Sequence, residues 1–397
     1  MKFSRRSLQL NPSSIVALAN RARELERSGT PVLRMETGEP NFPTPPGIRK
    51  AAIDALERGL TGYSHSRGVP ELRQALCGMA RDRFGVELDP DRNVIVTPGA
   101  KQAILYALLA TLDPGDEVIV MTPAWVSYDE MIKLADGVPV HVGLSGADGF
   151  APAIDAVESK VTPRTKALIL NSPNNPTGHA IGLAALKDLH RLCARSGILL
   201  ISDEIYGRLL FRGHEHHSLH QVDPKLDHGI VVDGFSKSYA MAGWRLGFVF
   251  ASGDMIDAID RLQQNSVTCP TTFLQYGALQ ALRDEESFVR FSLDQYQRNL
   301  DDLERECRTI PRIGMVRPQG GIYAFIDIRQ VMASSARFAS LFLEQESVST
   351  VPGIAFGDVG EGYLRVCLAV SNQDIAEFVR RLRRFVEIAP EDEKDVP

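Results

Sequence analysis

The chain has 397 residues, 44% of them hydrophobic, enough for a large core and suggestive of two domains. It carries 44 basic and 50 acidic residues for a net charge of -6, and no basic tract longer than Arg5-Arg6 or Arg380-Arg381, which argues against nucleic acid as its main partner. Five scattered cysteines form no Cys-x-x-Cys pair, no apolar run approaches a membrane span, and Met1 to Leu10 lacks an apolar leader core, so a soluble, cytoplasmic protein with free thiols, no metal site and no membrane partner is expected.

From residue 94 onward, short apolar runs alternate with amphipathic stretches, the rhythm of a mostly parallel sheet flanked by helices. The pattern predicts a strand over 94–97 and a helix over 100–111. A strand over 117–121, a helix near 126–135 and a short strand over 138–142 follow. Strands over 166–170 and 198–202 are separated by a helix over 183–196, and strands over 229–232 and 246–251 complete the set. Beyond about residue 285 the rhythm changes to a long helix over 287–308, a strand over 322–328 and a helix near 336–345. Strands over 347–351 and 363–367 and a last helix over 372–385 then close an α+β unit. The expected division is an arm (1–40) packing with the small domain, a large domain (41–285) and a small C-terminal domain (286–397), with a frayed acidic tail at 390–397.

Four segments carry candidate chemistry. Thr97-Pro98-Gly99-Ala100-Lys101 closes a strand and opens a helix, where free N–H groups suit a phosphate, although such turns are often only structural. Asn171 to Gly178 follows a strand at the sheet end where ligands collect, but its Asn, Pro and Gly also suit a plain tight turn. Asp203-Glu204-Ile205-Tyr206 places an acid at the end of the next strand, able to partner a protonated ring nitrogen or merely to cap a helix. The run Gly234 to Gly247 holds Lys237 among small residues after an apolar strand. Desolvation and a nearby cation such as Arg245 would make its amine a nucleophile, whereas a lysine taken singly fits a solvated loop. Together the four supply the groups that pyridoxal 5'-phosphate (PLP) requires.

From Asn11 to about Phe385 the chain resembles the class I/II aminotransferases of PLP fold type I, nearest the bacterial aspartate and aromatic branch. Gly38-Glu39-Pro40, Tyr63 ahead of Gly68 to Arg73, Asn174 to Gly178, Asp203 to Tyr206, the Lys237 run, Arg317 to Gly321 and Val351-Pro352-Gly353 carry the resemblance in order. It implies an α/β large domain with a mostly parallel mixed sheet flanked by helices, and a smaller α+β domain. It also implies a homodimer with shared sites and ping-pong exchange of amino and keto groups between an amino acid, aspartate/glutamate or aromatic, and a 2-oxo acid. By the same resemblance, Lys237 forms the Schiff base and moves the proton, Asp203 holds the ring nitrogen, and Asn175 and Tyr206 hold the ring oxygen. Trp125 stacks on the ring; Gly99, Ala100, Lys101, Ser236 and Arg245 hold the phosphate, and Tyr63 reaches the phosphate of the neighbouring subunit. Arg365, with Asn175 and Gly38, takes the substrate α-carboxylate.

Lys101 meets a distal carboxylate in some such members but equally suits a solvent-facing helix. Ile15 stands where they often carry a hydroxyl residue. Glu36 and Thr37 lie near where side-chain specificity is set, where an acid would suit an amine-bearing substrate or face solvent. Arg67 resembles alanine-type members, and Cys269 reads as a structural thiol. The same motifs would serve a specialised PLP enzyme of elimination, replacement or cyclisation. An aminotransferase-like regulator would need a DNA-binding region for which about forty leading residues leave little room.

Overall fold

Seven apolar runs condense into one central sheet. The computed structural model describes residues 3–11 and 14–388, the side chains of residues 5, 14 and 15 excepted, so the expected frayed tail and the side chain of Ile15 lie outside the described residues. The strands are, in chain order, β1 (Leu33–Arg34), β2 (Val94–Thr97), β3 (Glu117–Thr122), β4 (Val138–Gly143), β5 (Thr165–Asn171), β6 (Leu199–Asp203), β7 (Gly229–Gly234), β8 (Gly247–Phe250), β9 (Gly314–Val316), β10 (Tyr323–Asp327), β11 (Val348–Ser349), β12 (Val351–Pro352) and β13 (Tyr363–Cys367). The central sheet runs β2-β8-β7-β6-β5-β3-β4; β8 is antiparallel to both its neighbours and the remaining pairs are parallel. β2, β3 and β8 are buried at every position, which is why they read as unbroken aliphatic runs rather than alternating ones.

Helices cover both faces. In Leu183–Ser196, Leu186, Leu189, Leu192 and Cys193 recur at helical spacing and are buried, and Gly197 ends the helix with φ +66°. Truncating Leu189, fully buried there, to Ala would cost about 2–5 kcal/mol. Five helices of twelve residues or more that are absent from the expected set also appear among the described residues: Ser14–Arg27, Pro46–Glu57, Pro70–Phe84, Gly253–Gln264 and Thr272–Asp284. Pro46 and Pro70 open two of them, where a missing N–H costs nothing.

The later residues build an antiparallel sheet, β12-β13-β10-β9. The single strand expected over 347–351 is in fact two: β11 pairs in parallel with β1, and β12 pairs antiparallel with β13. The arm divides its contacts accordingly. β1 joins β11, whereas Asn11 donates to Glu130 and Arg6 pairs with Asp136, on or just after the helix Ser127–Leu134 beside the central sheet. Among the described residues no helix is long and apolar enough to cross a membrane.

Candidate active site

Parallel strands bring their C-terminal ends to one edge, and three of the sequence motifs start there. Asn171 ends β5, Asp203 ends β6, and Lys237 lies three residues beyond β7. A cleft of about 260 Å³ opens at this edge, lined by Gly38, Ala100, Lys101, Trp125, Asn175, Asp203, Tyr206, Ser236, Lys237, Arg245 and Arg365. Tyr63 is not part of its lining and is 86% exposed.

The Lys237 ammonium donates to the Gly38 carbonyl. Burial pulls its pKa down to about 8, and the charges of Arg365 and Arg245 pull the same way against Cys367 and Glu39. A substantial fraction of neutral amine is therefore present near pH 8, as a nucleophile requires. Asp203 is buried and pushed up to about 6, burial outweighing the hydrogen bonds that favour its charged form. Those bonds come from the Tyr128 hydroxyl at 2.6 Å and the Ile205 N–H at 3.2 Å. A cationic partner in the cleft would complete its ionisation.

At the helix start, Gly99 has φ +93°, and a Cβ there would fall 2.5 Å from the Arg245 guanidinium, so only glycine lets that cation approach the turn. Ala100 and Lys101 present N–H groups without acceptors among the described residues, close to Arg245 and Ser236, the makings of a phosphate cradle. Arg245 is itself at φ +53°, its Nη1 donating to the Ala242 carbonyl at 2.8 Å.

At the opposite wall Arg365 is only 2% exposed and has no ion-pair partner among the described residues. Nη2 donates to the Glu36 carbonyl at 2.7 Å and Nη1 to Asn175 Oδ1 at 3.3 Å, while Nε is buried and unpartnered. A buried, half-satisfied guanidinium is costly without an anion, and a carboxylate in the cleft would complete its bonding. Lys101 donates to Ser127 Oγ at 3.1 Å and lies 5.3 Å from the Trp125 ring centroid, its pKa lowered by burial and by Arg245. It borders both this cleft and a neighbouring cavity of about 410 Å³ that reaches Asn11, Glu130 and His141.

The residues present fit pyridoxal phosphate group for group: a cradle for phosphate, a carboxylate for the ring nitrogen, Trp125 for the ring face and Lys237 for the aldehyde. Two contributors, Tyr128 and Tyr323, escaped the sequence reading, and Asn171 entered it only as the start of its segment, with no role of its own. Tyr128 lies one helical turn after Trp125 and meets it edge-on at 5.4 Å. Asn171 accepts from the Asn175 N–H at 2.8 Å and donates to the Asp203 carbonyl at 3.0 Å, pinning two motifs together. Tyr323 faces Arg365 and Tyr206. The final Asn of an apolar strand is a readable signal; lone tyrosines in apolar surroundings are not. One expectation is corrected. Glu36 does not face solvent: 1% exposed, it pairs with Arg34 at 2.5 Å.

The family model "Aminotransferase class I and II" matches residues 30–382. The chain is 39% identical to an aspartate/prephenate aminotransferase of Thermus thermophilus, over 97% of this chain and 98% of the relative. It is 35% identical to aromatic-amino-acid aminotransferase 2 of Thermococcus litoralis, over 98% of this chain and 99% of the relative. The solved structure of Thermus thermophilus aspartate aminotransferase with maleate aligns with a TM-score of 0.92 at 38% identity, covering 97% of this chain and 99% of that one.

Proposed function

Because the chain belongs to the class I and II aminotransferase family, we propose that it uses pyridoxal 5'-phosphate to exchange the amino group of a dicarboxylic or aromatic amino acid with the keto group of a 2-oxo acid. One observation carries this reading: a single cleft joins a near-neutral lysine, a buried carboxylate and a buried guanidinium without a counter-ion. Bound pyridoxal phosphate would supply an electron-withdrawing ring that stabilises negative charge at the substrate Cα.

The protein's own groups do the rest. Arg365 binds the α-carboxylate with Asn175 beside it, which fixes the substrate's orientation and is worth about 1.5–3 kcal/mol per charged hydrogen bond. Lys237 Nζ, neutral in a useful fraction of molecules, takes the proton from Cα and returns it on the other side of the exchange. Asp203 would keep a positive charge on the ring nitrogen, and Tyr206 and Asn175 would hold the ring oxygen. Ser236, Arg245 and the N–H groups of Ala100 and Lys101 would anchor the phosphate, with Gly99 allowing the approach.

Aspartate and glutamate are the first choice because Lys101, partly desolvated and beside Arg245, offers a second cation for a distal carboxylate. The maleate in the Thermus structure, a dicarboxylate, supports that choice. The exposure of Tyr63 supports a homodimer in which it serves the partner's phosphate site. The β1–β11 pairing supports an arm over 1–40 that joins a small domain over 286–397, beside a large domain over 41–285. Five free cysteines suit a cytoplasmic compartment.

The test is a half-reaction screen: enzyme loaded with pyridoxal phosphate is mixed with single amino acids, and absorbance and product mass are followed. Aspartate or glutamate should give an equimolar 2-oxo acid with the nitrogen retained on the enzyme. Released ammonia, a shortened skeleton or a ring would refute transamination.

A further inference from the structure

Arg365 needs more support than its hydrogen bonds provide. One is long, one reaches a backbone carbonyl, and Nε has none. A guanidinium so placed would be free to tilt, and the geometry of carboxylate binding depends on its plane. What lies against it is an aromatic face: the Tyr323 ring centroid is 4.1 Å from the guanidinium carbon, with Phe356 at 5.3 Å. The sheet register explains the contact. β10 and β13 are antiparallel with Phe325 opposite Arg365, so Tyr323 lies diagonally across from Arg365 on the same face.

The other end of Tyr323 faces the cofactor side. Its hydroxyl oxygen would lie 2.9 Å from a Cβ at Gly38, the residue whose carbonyl receives the Lys237 ammonium. The rings of Tyr323 and Tyr206 are 6.0 Å apart at 73°, with their hydroxyls in hydrogen-bonding contact. Both tyrosines are buried.

We propose that Tyr323 is a positioning residue that braces Arg365 with its ring and orients the Tyr206 hydroxyl with its own, so that the carboxylate-binding and ring-oxygen-binding ends of the cleft are held by one side chain. This rests on Arg365 taking the substrate α-carboxylate. The arrangement gives the ring and the hydroxyl separate duties, which two substitutions separate. Tyr323→Leu removes both, while Tyr323→Phe keeps the ring. The charge of Arg365 also lowers the proton affinity of both hydroxyls against the effect of burial, so neutralising it with a carboxylate is felt at Tyr206.

The experiment uses pyridoxal phosphate-loaded enzyme titrated with maleate, an unreactive dicarboxylate, with dissociation constants and the pH midpoint of the cofactor absorption band read from the same samples. Tyr323→Leu should weaken maleate by on the order of tenfold, the scale of a desolvated cation–π contact, and Tyr323→Phe by less than about twofold. In Tyr323→Phe the midpoint should shift by about half a unit or more, because the Tyr206 hydroxyl loses its partner and its bond to the ring oxygen changes strength. If Arg365→Ala weakens maleate while Tyr323→Leu does not, the bracing role is overturned and the carboxylate site stands. If Arg365→Ala leaves maleate unaffected, the reading of the carboxylate site itself fails. Equal losses in the two Tyr323 variants would overturn the role of the ring, and an unmoved midpoint in Tyr323→Phe would overturn the link to Tyr206, whether or not Tyr323→Leu folds.

Discussion

Replacing Tyr128 by Phe removes one oxygen from beneath the cleft and tests how Asp203 stays charged. The Tyr128 hydroxyl donates to Asp203 Oδ2 at 2.6 Å, and without it the Ile205 N–H at 3.2 Å is the one remaining hydrogen bond that favours the carboxylate, with the Lys237 charge beside it. Burial already holds Asp203 up at about 6. A hydrogen bond to a charged group contributes about 1.5–3 kcal/mol, and about 1.4 kcal/mol corresponds to one pKa unit, so the variant should lift Asp203 by about one to two units. The sign then fixes the pH dependence. Below its raised midpoint Asp203 carries a proton and cannot hold a positive ring nitrogen; above it, variant and wild type are both ionised. The assay is kcat/KM for the preferred amino acid from pH 6 to 9. Tyr128→Phe should lose about five- to fiftyfold at pH 6, and the deficit should shrink as the pH rises. A deficit of constant size, or none at pH 6, would refute the assignment of Tyr128 as the support of Asp203.

Two further outcomes are expected. Lys101→Ala should raise KM for aspartate and glutamate by about tenfold while sparing aromatic substrates, whereas Arg365→Ala should weaken every amino acid; steady-state kinetics on both substrate sets decides. His216→Ala strands the buried Glu204 carboxylate, which His216 Nε2 meets at 2.7 Å, and should lower stability by about 3 kcal/mol in urea unfolding at pH 7. Burial would raise Glu204, but His216 and the Leu219 N–H bring it down to about 2, so its contribution is present above 4.5 and fades as pH falls toward 2. The gap between variant and wild type should close over that window, and a gap that persists would point to lost packing instead.

The central sheet was legible because most of its strands are buried on both faces and therefore spell apolar runs, the edge strand β4 being the exception. The helices before residue 94 and between 253 and 284 were less so. Pro70–Phe84, for instance, carries three arginines, one of them among its five buried positions, and its apolar stripe is faint. The split of 347–351 into β11 and β12 depends on which sheet each half joins, information that side-chain pattern does not contain. In the cleft, residues within motifs were found where the motifs placed them. Tyr128 and Tyr323 were invisible because an isolated tyrosine in an apolar stretch looks like core, and only the fold shows that Asp203 and Arg365 lie opposite their polar and aromatic ends. Glu36 misled for the converse reason: its partner Arg34 shares the same short strand region, and charge alone does not reveal burial.

The central claim is that Lys237 carries the cofactor. Purified protein loaded with pyridoxal phosphate, reduced with borohydride, digested and mapped by mass should show a phosphopyridoxyl group on Lys237, and Lys237→Ala should show neither the label nor turnover. A label on another lysine, Lys101 above all, or full turnover by Lys237→Ala, would contradict it.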